Sequence, residues 1–92
     1  MYRFAHEIVW DEPKRLANKH GLDFADLTVA FFEDALFLPS KENRWRGIGP
    51  NARGIICVVF ATLGKEAVSV ISMRRASMNE RKLYVERLKE DE

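Results

Sequence analysis

Cysteine is almost missing from this chain. Cys57 is the only one in 92 residues, which excludes an internal disulfide and any multi-thiolate zinc site. Histidine is scarce too: His6 and His20 stand at unrelated positions, a poor basis for a metal site. Long apolar runs are absent. The longest, Ile55 to Ala61, falls far short of the roughly 20 residues that cross a bilayer. The first residues, Met1-Tyr-Arg-Phe-Ala-His-Glu, lack the apolar core of a secretory signal, so the expected compartment is the cytoplasm. Gly47-Ile-Gly49 runs into Pro50 instead of a helix and reads as a turn, not a phosphate-binding fingerprint. A serine-nucleophile elbow, internal repeats and low-complexity stretches are all lacking.

What is present is the balance of a globular protein, 47% hydrophobic and 32% charged, at a length that suits one domain over residues 1–92. The net charge is only +1, but it is unevenly spread. Residues 1–40 hold four Lys/Arg against seven Asp/Glu, whereas residues 41–84 hold nine against three. The basic half is rich in arginine, whose planar fork suits phosphate better than an ammonium does. Such a concentration is the electrostatic footprint of a protein that handles nucleic acid, or else an ordinary solvated sheet edge.

Period-two alternation from Tyr2 to Trp10 predicts a first strand. Asp11-Glu12-Pro13 opens a helix expected to run to about His20 and stop at Gly21. A second helix is expected from Asp23, burying Phe24, Leu27 and Phe31. Leu36-Phe-Leu38 and Arg44 to Ile48 read as strands, and Pro50 to Gly54 as a turn. Ile55 to Thr62 is apolar on both parities, as in a central strand covered on both faces. Glu66 to Met73 pairs back, and Ser77-Met-Asn-Glu80 is a capping box for a last helix reaching about Lys89. The order β-α-α-β-β-β-β-α is that of a small α+β domain with a mostly antiparallel sheet packed on helices.

Several residues could carry chemistry. Arg74-Arg75 sits where the last strand meets the capped helix, and persisting strand geometry would send the two side chains to opposite faces. Arg81 falls within the stripe Met78, Tyr84, Val85 and Leu88, where it must snorkel or reach a partner. His20, next to Lys19, could be a general acid or base or simply a helix-terminating residue. Trp45, flanked by Arg44 and Arg46, is the better of the two tryptophans for stacking on a base, worth about 1–3 kcal/mol where it occurs. Cys57 reads as a small buried hydrophobe.

An ordered set of these residues resembles one family. Trp10-Asp11, Lys14, Asn18, Lys19-His20-Gly21 and Phe24 resemble the W-D-x-x-K-x-x-x-N-x-K-H-G-x-x-F signature of the BrnT toxins. Glu42-x-Arg44, Ile48-Gly49 and Ile71-Ser-Met-Arg74-Arg75-Ala76-Ser77 resemble its E-R, I-G and I-S-A-R-R-A-S segments, and Glu80-Arg81 with Tyr84 its E-R-x-x-Y ending. Met73 replaces the usual alanine, and the segment between Pro39 and Glu42 is shorter than in relatives.

The resemblance implies a bacterial type II toxin with a RelE-like fold, an endoribonuclease that blocks translation. It also implies a BrnA-type antitoxin with a ribbon-helix-helix region, joined to the toxin as a heterotetramer and touching operator DNA on its behalf. Cleavage would need no metal or cofactor. Arg74, beside Arg75 and with Arg44 or Arg81 across the groove, would clamp the phosphate. His20 or Lys19 would move the proton, and Tyr84 would orient the substrate. Lys14, Trp45 and Arg46 would hold the RNA. The competing reading is a non-catalytic module whose arginines meet antitoxin carboxylates or operator phosphate.

Overall fold

Five strands form one sheet in the computed structural model, which describes residues 7–18 and 21–90. They are β1 (Glu7–Trp10), β2 (Leu36–Pro39), β3 (Trp45–Asn51), β4 (Gly54–Leu63) and β5 (Ala67–Arg75). Three helices accompany them: α1 (Glu12–Ala17), α2 (Val29–Asp34) and α3 (Met78–Glu90). The spatial order is β1-β5-β4-β3-β2, antiparallel throughout except where β1 lies parallel to β5. This is the expected α+β class and element order.

β4 is the axis of the sheet because its apolar residues serve both faces. Ile56, Val58 and Phe60 are buried against Phe24, Phe31 and Phe32, which the short helical pieces after α1 supply. Phe32 meets both Phe31 and Phe60 edge to face at 5.3 Å. Cys57, on the opposite parity, joins Ile48 and Tyr84 in a smaller cluster under α3. One face therefore carries the main core. The other is only partly roofed, by α3.

The structure changes the expected boundaries at several places. The first strand is described only from Glu7, and Tyr2 to His6 lie outside the described residues. α1 stops at Ala17 rather than near His20, because Asn18 turns to an extended conformation. Asn18 gains two side-chain bonds by doing so, one local and one long-range: its Nδ2 donates to the Leu22 carbonyl and its Oδ1 accepts from Met73 N. The second helix is in two pieces. Asp23 caps only a 3-10 turn (Phe24–Asp26), and Thr28 caps α2 afresh by accepting from Phe31 N. Gly47 to Gly49, expected to turn, belongs to β3, with both glycines buried beneath α2. The turn itself is tightened by Arg53 N donating to Asn51 Oδ1 at 2.7 Å, with Gly54 at a positive φ of 109°.

Candidate active site

The half-covered face of the sheet holds the site. Residues directly opposite one another across a ladder share a face, and Cys57 pairs with Arg74 while Val59 pairs with Arg46 and Ser72. Cys57 and Val59 are two apart on β4, so Arg46, Ser72 and Arg74 all rise from the same side. Arg46 and Arg74 stand on the strands that flank β4, and both reach the carboxylate of Glu80 in the first turn of α3.

Glu80 organises this cluster. Its side chain accepts from Arg74 Nη1 at 2.7 Å and Nη2 at 2.9 Å, and from Arg46 Nη1 at 2.8 Å. It also accepts from Ser77 N at 2.9 Å, while Ser77 Oγ accepts from Glu80 N at 3.2 Å, so the expected capping box is closed in both directions. Only 2% of Glu80 is exposed. Its arginine partners, Arg74 foremost, together with the Ser77 amide hold the carboxyl well below its ordinary range, at about 2, against the opposing pull of burial. The same contact holds the Arg74 guanidinium firmly protonated. Beneath the cluster, burial pushes the Cys57 thiol up to about 11, which leaves it a neutral packing residue as expected. Two guanidiniums against one carboxylate leave a local charge of +1, with each arginine side chain about one-third exposed.

The chemistry of such a cluster is anion recognition. Guanidiniums pinned by a buried carboxylate lose little rotamer freedom when a phosphate arrives, and their outward N–H groups stay available to it. Among the described residues, no group of three or more His, Cys, Asp or Glu is gathered to hold a metal ion.

A family model described as "Ribonuclease toxin, BrnT, of type II toxin-antitoxin system" matches residues 10–80, most of the chain. The chain belongs to the BrnT toxin family. It is also 55% identical to the Brucella abortus ribonuclease toxin BrnT, whose crystal structure it matches with a TM-score of 0.72 over 78% of this chain and 97% of that one. Among curated proteins, none matches the chain. No described helix is long and apolar enough to cross a membrane.

The residues of this BrnT toxin singled out in the sequence are only partly brought together. Arg74 and Arg46 meet at Glu80. Arg75 parts from Arg74 as strand geometry requires, its Nη1 donating to the Arg53 carbonyl at 2.9 Å. Arg44 lies in the turn before β3, 3.9 Å from Glu42. Trp45 is cross-strand partner to the core residue Phe60, so it faces away from Arg46 and stands 39% exposed at the other face. Arg81 is exposed, one residue around α3 from buried Glu80. Tyr84 is 6% exposed against Ile48 and Cys57, and burial raises its hydroxyl pKa. Lys14 is exposed on α1, and Lys19 and His20 lie outside the described residues. Sequence reasoning assigned Glu80 to the cap alone. The missed signal was a capping glutamate following a pair of arginines at the sheet's end, where one carboxylate can serve amide and guanidinium together.

Proposed function

We propose that this toxin acts as one catalytic domain in the cytoplasm, cleaving RNA endonucleolytically without a metal ion or cofactor. In this reaction the RNA's own 2′-hydroxyl attacks the adjacent phosphate and the 5′-oxygen leaves. Charge develops on the phosphorane, and fixed donors there are worth about 2.7–4 kcal/mol each. The observation that carries the reading is the pair Arg46 and Arg74, held on one open sheet face by a single buried carboxylate. Arg74 is the clamp, Arg46 holds RNA beside it, and Arg44, Arg75 and Arg81 supply further positive charge around them. Lys19 or His20 moves the proton and Tyr84 steadies the local packing of the site. Lys14 and Trp45 contact RNA beyond the scissile step.

The family's toxin–antitoxin setting supports a cognate partner: a BrnA-type antitoxin with a ribbon-helix-helix region, assembled with the toxin as a heterotetramer. Operator DNA is reached only through that antitoxin. The test of the catalytic reading is inducible expression without antitoxin, wild type beside Arg74→Ala, with RNA ends mapped. New 2′,3′-cyclic phosphate ends and growth arrest are expected from the wild type and lost in the variant. Full toxicity of a soluble Arg74→Ala protein sinks the clamp, and intact RNA with unchecked growth in the wild type sinks the enzyme.

A further inference from the structure

α3 is built inside out. On a wheel of 3.6 residues per turn, its inward side carries Glu80, Leu83, Tyr84 and Arg87, while Met78 and Val85 lie about 140–160° away from Glu80. The stripe that sequence patterning assigned to the core therefore points into solvent: Met78 is 87% exposed, Val85 40% and Leu88 47%. Only Tyr84 of that stripe is buried. Met78 and Val85, together with Ile55, line an open groove of about 500 Å³. Arg81, Lys82 and Lys89 border it against the single acid Glu86, a net charge of +2.

An apolar stripe at helical spacing that its own domain does not use is the usual mark of a partner's seat. Nucleic acid offers phosphates to the basic rim but nothing to cover Met78, Val85 and Leu88. A second copy would bring the same +2 face against itself, with like charges opposed across a two-fold axis. An acidic amphipathic protein segment satisfies both the stripe and the rim. We propose that this face of α3 is the docking surface for the cognate antitoxin, which lays on it a segment with apolar side chains at helical spacing flanked by Asp and Glu. The proposal rests on the reading that the toxin is neutralised by such a partner.

The experiment titrates the purified antitoxin, the protein encoded beside the toxin, into three purified toxins by calorimetry. They are the wild type, Met78→Asp/Val85→Asp and Lys82→Glu/Lys89→Glu, each also assayed for RNA cleavage and thermal unfolding. The apolar variant is expected to bind at least 100-fold more weakly, and the charge-reversed variant at least 10-fold more weakly with a flatter salt dependence. Both should cleave RNA at the wild-type rate and resist silencing by antitoxin. The lysine pair is solvated, so it reads the face even where the aspartates disturb folding. Wild-type affinity in both variants overturns the docking face while leaving neutralisation intact; no binding by the wild type overturns neutralisation itself. Antitoxin binding kept while self-association is lost assigns the face to a second copy, and kept while RNA affinity is lost assigns it to RNA. Either result overturns the proposal.

Discussion

Glu80 is the residue on which the stability and the chemistry of the site converge. A carboxylate this buried is tolerated because Arg46, Arg74 and the Ser77 amide satisfy it. Its pKa falls from the ordinary 4.5 to about 2 on folding, so the stabilisation is complete above pH 4.5 and is lost as pH falls through about 2. The shift corresponds to something on the order of 3 kcal/mol at neutral pH. Glu80→Gln keeps an oxygen for the Ser77 amide but removes the charge that the arginines share. It should lower the unfolding midpoint by more than about 10 °C at neutral pH, given about 4–8 °C per kcal/mol for a domain of this size. Melting curves from neutral pH down to 2 check both parts: the wild type should lose its margin over the variant across the window from 4.5 to 2. A constant margin across that window would mean the ion cluster contributes nothing through its charge. Asp23, lowered to about 2 chiefly by its hydrogen bond to Arg15, titrates in the same acid range, but its side chain is half-exposed and therefore screened.

At the scale of elements, the sequence was legible where one physical signal dominated. β4 was readable because apolar residues on both parities have no other use than a two-faced central strand. The start of α3 was readable because Ser77 and Glu80 close a capping box whatever the helix packs against. The buried side of α3 was not, since patterning assumes that apolar residues face the core and here Glu80 and Arg87 do so instead. The break between the 3-10 turn and α2 was hidden because Asp23 looks like a complete N-cap, although Arg15 also claims its carboxylate. The start of β3 was readable, but its continuation to Asn51 was hidden by its glycines, which look like a turn but serve close packing. A Cβ on Gly49 would sit 3.1 Å from Phe31 Cε1 and 3.5 Å from the Ala35 backbone, whereas one on Gly47 meets only side-chain atoms, the nearest at 3.4 Å. Gly49→Val should therefore cost about 1–3 kcal/mol through overpacking of α2 on β3. Gly47→Ala should be close to neutral, the small gain from stiffening the unfolded chain offsetting mild crowding. Denaturant unfolding of the two variants decides it, and equal losses would show that helix packing is not what requires the glycine.

Across the whole molecule, the charge asymmetry of the sequence takes on a definite arrangement. The nine basic residues between 41 and 84 do not make one continuous face. Arg46 and Arg74 occupy the open side of the sheet, Arg75 turns to the β3–β4 turn, and Arg81 and Lys82 border the outer groove of α3. Lys65 sits in the β4–β5 turn, at the far end of the ladder in which Cys57 pairs with Arg74. RNA held at the Glu80 cluster should therefore feel only a few of these charges. With Arg44, Arg46 and Arg74 as its phosphate contacts, binding of a single-stranded RNA should weaken with a log–log salt slope of about −2, at about −0.7 per contact. A fully 2′-O-methyl oligonucleotide, which cannot be cleaved, isolates binding from turnover. Arg46→Ala should flatten the slope by about 0.7, and Lys65→Ala should leave it unchanged. Equal flattening by the two variants would mean that RNA responds to the diffuse positive charge of the basic half, and that the arginines on the open sheet face have no special claim on the phosphate.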